Sequence, residues 1–95
     1  MEKLKNKSDY NYVNNRANIL YNRNVYVSTR PNKKYMIYND NNKIVHFGDS
    51  MYKDYSVTRD ENKRRLYLQR SGKIKGNWKR DIFSPNQLSR NLLWN

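Results

Sequence analysis

The chain has 95 residues and a mass of 11.6 kDa, enough for a single domain. It carries 20 Lys and Arg against eight Asp and Glu, for a net charge of +12. With no cysteine and one histidine it has no disulfide framework, thiolate metal site or zinc finger, and no apolar run approaches the ~18–20 residues that span a bilayer.

Residues 1–8 (MEKLKNKS) are basic and aperiodic and are expected to form a flexible tail, leaving 9–95 as one domain. Over 9–23, Tyr12, Val13, Arg16, Ala17 and Leu20 fit helical spacing and Ser8 or Asp9 could cap the start. Six Asn between 11 and 24 oppose that helix. Val25-Tyr26-Val27 opens a short strand near 25–29, and Arg30-Pro31-Asn32 turns the chain. KKYMIY (33–38) and KIVHF (43–47) are β-prone runs around Asn39-Asp40-Asn41-Asn42, which predicts a hairpin over 33–47. Tyr35 and Ile37 share one face of it, Met36 and Tyr38 the other, and Gly48 is expected to end the second strand.

Thr58 and Glu61 have capping-box spacing, predicting a helix over 59–71 stopped by Gly72. Ser84, Pro85 and Gln87 repeat the signal with Pro at the first helical position, predicting a second helix over 85–94. Strands followed by helices indicate an α+β domain with a small antiparallel sheet. Leu, Ile, Val and Phe make only 19 of 95 residues, beside nine Tyr and two Trp. The core is therefore expected to be thin and rich in Tyr. Self-association into a homodimer would relieve the shortage of apolar burial. Leu92, Leu93 and Trp94 either close that core or meet another subunit.

The cations are concentrated. Arg59, Lys63, Arg64, Arg65, Arg70, Lys73, Lys75, Lys79 and Arg80 lie within 22 residues, opposed only by Asp60 and Glu61. On an ideal helix Arg59, Lys63 and Arg70 fall within about 40° of one another, so one face could meet a phosphate backbone. A solvated helix face is the plain alternative. Tyr67 and Trp78 lie inside the patch and could stack on bases or simply pack. His46, with Asp49 and Asp54 as the nearest possible partners, is a weak general-base candidate. The eight acids are scattered without metal-ligand spacing.

The segments KKYMIYNDNNKIVHFGDSMYKDYS, DENKRRLYLQRSGKIKGNW and FSPNQLSRNLLWN resemble a family of small basic proteins of unknown function encoded by large DNA viruses of amoebae and algae (mimivirus-, marseillevirus- and phycodnavirus-like). The shared pattern is a hairpin ending in Phe-Gly, a Tyr-x-Asp-Tyr, an Arg-Arg-x-x-Tyr-x-x-Arg helix and a terminal Leu-Trp. It covers roughly 33–95. Ser71 stands where the family often carries His. The resemblance implies a viral protein of the infected host cytoplasm, viral factory or virion, with the host nucleus as a further location, and it implies no activity.

Residues and resemblance together predict a soluble, intracellular, non-enzymatic protein that binds nucleic acid, DNA before RNA, with little sequence preference. No cofactor, metal or membrane is expected. A virion structural or protein-interaction module is the alternative, and a small metal-dependent nuclease a more distant one.

Overall fold

Asp9 starts the first helix of the computed structural model, which describes residues 4–95. Its carboxylate accepts from the Tyr12 backbone N–H at 3.2 Å, and Asn22 ends the helix in the left-handed region at φ 58°. This helix, α1 (Tyr10–Tyr21), buries Val13, Ala17 and Tyr21, an i, i+4, i+8 stripe. Leu20, expected on that stripe, is exposed. The asparagines that argued against the helix are used outside its backbone ladder. Asn14 Oδ1 accepts from the Val25 N–H at 2.8 Å, and the Asn14 and Asn18 amides donate to Asn24, which pins the chain leaving the helix.

Three antiparallel strands follow in sequence order: β1 (Tyr26–Val27), β2 (Lys33–Tyr38) and β3 (Ile44–Asp49). Tyr26 pairs with Met36, Met36 with His46 and Tyr38 with Ile44. The predicted hairpin is present. Asn39 Oδ1 accepts from the N–H groups of Asn41 and Lys43, and Asn42 takes the left-handed conformation its turn needs. Gly48 does not end β3 but lies within it at φ 83°, where a Cβ would stand 2.8 Å from Leu93 Cδ1.

Beyond the sheet, the chain forms a short helix that the sequence reading did not anticipate, α2 (Tyr55–Thr58), then α3 (Glu61–Gly72), a 3-10 turn at Trp78–Arg80, and α4 (Pro85–Leu88), which runs on as a π-helical turn over Ser89–Leu93. The Ser84 cap is as expected, with its hydroxyl accepting from the Gln87 N–H at 3.2 Å. The cap of α3 is not Thr58. Asp60 accepts from the N–H groups of both Asn62 and Lys63, and Arg59 sits in the left-handed region at φ 50°, outside the helix. Two acceptors compete within three residues, and the carboxylate captures two donors.

The α+β architecture is thus a small sheet covered on one face by α1 and α4. Tyr35, Ile37 and Phe47 from the sheet meet Val13 and Ala17 from α1 and Leu88, Leu92 and Leu93 from the C-terminal segment. The core is not rich in Tyr as expected: of the nine tyrosines only Tyr21 and Tyr35 are buried in it, among mostly aliphatic residues, because a phenol hydroxyl needs a partner and favours the edge of a core. The Tyr35 and Phe47 rings lie 5.8 Å apart, those of Tyr21 and Phe83 5.2 Å apart, and the buried hydroxyls donate to Ser8 and to the Ile82 carbonyl. The tail expected over 1–8 falls partly on residues 1–3, outside the described residues. Leu4 to Ser8 are part of the body. Leu4 is only 3% exposed in the core, and the Lys7 carbonyl accepts from the Asp54 N–H.

Candidate nucleic-acid interface

Helix α3 carries the basic segment and is poorly covered. Among its residues only Ser71 is buried, with Arg64, Tyr67, Leu68 and Gly72 partly so. Beside the bonds that Glu61 and Arg64 make to Tyr55 and Asn95, two attachments hold it. The Tyr67 ring stacks on Trp94, with centroids 4.4 Å apart and planes 10° from parallel. At its C-terminal end, Arg90 Nη1 donates to the Leu68 carbonyl and the Ser71 hydroxyl, both at 2.6 Å, and the Asn86 amide donates to the Ser71 carbonyl. These bonds tie the last turn of α3 to the C-terminal segment.

The expected site residues separate in three ways. Arg59 leaves the face it was to share with Lys63 and Arg70. Being outside the helix, it donates from Nε to the Ser56 carbonyl and lies over the Tyr12 ring at 4.2 Å. Arg64 reaches Glu61 and the Asn95 side chain. Lys63, Arg65, Arg70, Lys73, Lys75, Lys79 and Arg80 are exposed, and among the described residues none of these seven pairs with a carboxylate. Both rings are engaged in packing. Trp78 is 9% exposed, with Nε1 donating to the Ile74 carbonyl, and Tyr67 is held by Trp94, its phenol pushed above its ordinary pKa by burial.

Among the described residues these seven cations lack carboxylate partners while most of the acids hold backbone N–H groups. Asp9, Asp49, Asp54, Asp60 and Asp81 each accept from a backbone N–H at a helix start or turn. Five of the eight carboxylates in the sequence therefore stabilise chain direction. Asp54 is also buried against Lys34. The Lys34 ammonium lies 3.0 Å from Asp54 Oδ2, with side-chain exposures of 2% and 0%. The other carboxylate oxygen accepts from the Ser56 N–H and hydroxyl. Burial lowers the Lys34 pKa, and Asp54 offsets part of that shift.

Lys63, Leu66, Tyr67 and Arg70 form an i, i+3, i+4, i+7 stripe on α3 and line a cleft of about 940 Å³. Met51, Tyr52 and Lys53 line it from the loop after β3, and Leu93 and Trp94 from the C-terminal segment. The sequence reading placed Lys63 and Arg70 on one face but did not join Leu66 and Tyr67 to them, although the spacing was the signal that could have done so. The loop half carried no signal, because its residues meet α3 only through the tertiary fold. His46, the weak general-base candidate, has Nδ1 2.6 Å from the Ser28 hydroxyl. Among the described residues no group of three or more His, Cys, Asp or Glu could hold a metal ion, and no helix is long and apolar enough to cross a membrane.

Fold and surface define a small α+β domain with a cationic, loosely attached helix. The chain belongs to a family of unknown function (DUF5754), whose model matches residues 23–71. The matched segment contains the whole sheet, α2 and nearly all of α3, and ends before the second half of the basic run and before α4. No curated protein and no solved structure matches the chain.

Proposed function

We propose that the protein is a non-enzymatic nucleic-acid-binding module that grips phosphates with little regard to base sequence. One observation supports this above the others: seven exposed cations between Lys63 and Arg80 have no carboxylate partner among the described residues, while most of the acids hold backbone N–H groups. A surface of that kind concentrates polyanions and releases their counterions on contact. The homodimer expected from the sequence would double the cationic surface and raise affinity by avidity. A place in an infected cell, at the viral factory or in the virion, belongs to the same proposal and rests on the resemblance alone.

The test is fluorescence anisotropy with labelled oligonucleotides of unrelated sequence. The expected result is similar affinity for all sequences and a sharp loss when Lys63, Arg65, Arg70 and Lys73 are together changed to Gln. Unchanged affinity in that variant, with its fold intact, would remove the proposal.

A further inference from the structure

We infer that the cleft between α3 and the loop after β3 accepts unpaired nucleotides, so that single strands are bound in preference to duplex. This rests on the nucleic-acid reading above and names the substrate class of the same surface.

Three features of the cleft converge. Its volume, about 940 Å³, falls in the range of sites that enclose small organic groups, ~300–1,000 Å³. Along α3 the order is cation, apolar pair, cation: Lys63 and Arg70 stand about 10 Å apart along the axis with Leu66 and Tyr67 between them. That order matches phosphate, base, phosphate along a strand. From the loop after β3, Met51 and Tyr52 are 71% and 67% exposed, and Leu66 on α3, which lines the same cleft, is 51% exposed. A soft thioether and a flat phenol ring can lie against any base face. In duplex those faces are hidden in the stack, so the apolar walls would contribute nothing to duplex binding.

The charge around the cleft selects an anion. Lys53, Lys63 and Arg70 are exposed and without a carboxylate partner among the described residues, while Asp49, the carboxylate on the lining, accepts from the Met51 N–H. An acidic peptide shares the charge but lacks the flat faces that this wall offers, so the strand is the better fit.

The experiment compares a labelled oligothymidylate with a duplex of equal length at one moderate salt concentration, using the full chain, the double variant Tyr52→Ala/Leu66→Ser, and the variant Lys73→Gln/Lys75→Gln/Lys79→Gln/Arg80→Gln. Both residues of the double variant are solvent-exposed, so the fold is expected to persist, checked by an unchanged melting curve. The expected result is about tenfold weaker single-strand binding in the double variant, with duplex binding unchanged, and weaker binding of both in the quadruple variant. Equal affinity for both nucleic acids, with neither affected by Tyr52→Ala/Leu66→Ser, overturns the inference and leaves the phosphate-binding reading standing. Failure of the wild-type chain to bind either nucleic acid removes that reading and the inference with it. Polyglutamate binding that depends on Tyr52 and Leu66, without such dependence for the oligothymidylate, assigns the cleft to an acidic protein and also overturns the inference.

Discussion

Replacing Lys34 by Met tests whether the pair beneath the cleft is as desolvated as its geometry states. The Lys34 ammonium is 3.0 Å from Asp54 Oδ2, and neither side chain has appreciable contact with solvent. Removing the ammonium leaves one carboxylate oxygen without its partner, while the other keeps its bonds from Ser56. Stranding a buried charge in this way costs about 3–5 kcal/mol. A chain of this length has roughly 5–14 kcal/mol of stability in all, so the variant should lose about a fifth of it or more. The double variant Lys34→Met/Asp54→Asn removes both charges while the amide oxygen still caps α2, and should recover most of the loss. Urea denaturation followed by tryptophan fluorescence measures both, with the midpoint moving and the slope unchanged. A cost below about 1 kcal/mol for Lys34→Met, or a double variant no better than the single one, would refute the reasoning.

Burial raises the pKa values of Tyr21, Tyr35 and Tyr67. Above the ordinary tyrosine value of 10.0 the folded chain therefore holds protons that the unfolded chain has lost, and stability falls as pH rises through that window. The hydrogen bond to Glu61 raises the Tyr55 pKa in the same sense, while Lys34, with its pKa lowered by burial, acts in the opposite sense. Ultraviolet titration should show a late-ionising fraction among the nine tyrosines, and a single common transition in the native protein would contradict this. Trp78→Phe loses the bond from Nε1 to the Ile74 carbonyl and should cost about 1 kcal/mol with oligonucleotide affinity unchanged. Lost affinity at full stability would make Trp78 a stacking ring instead. Gly48→Ala would set a Cβ 2.8 Å from Leu93 Cδ1 on a backbone at φ 83°, lowering stability by about 1–3 kcal/mol. A urea midpoint equal to wild type would show that this close approach is absent.

The elements legible in the sequence are those specified by neighbours along the chain. The Asn-rich turn set the hairpin, and Ser84-Pro85 set the start of α4. Where two local signals competed, spacing alone misled: Thr58 looked like the cap of α3, but Asp60 binds two backbone donors and leaves Arg59 outside the helix. What the sequence reading missed depends on long-range contacts. In an alternating strand Lys34 gives no hint of burial, since its partner lies twenty residues away and at the start of a helix of only four residues. Leu4 is a lone apolar residue in a charged segment, yet the core claims it. Of the expected basic stripe, Lys63 and Arg70 do share a face of α3 and line the cleft, whereas Arg59 lies outside the helix over the Tyr12 ring.

The central claim is that the exposed cations of residues 63–80 meet phosphates, and the slope of log affinity against log salt counts those meetings. If all seven engage duplex, the slope is about −6. Replacing Lys63, Arg65 and Arg70 by Gln should bring it to about −4. A slope near zero in the wild-type chain, or the same steep slope after the three replacements, would contradict the account.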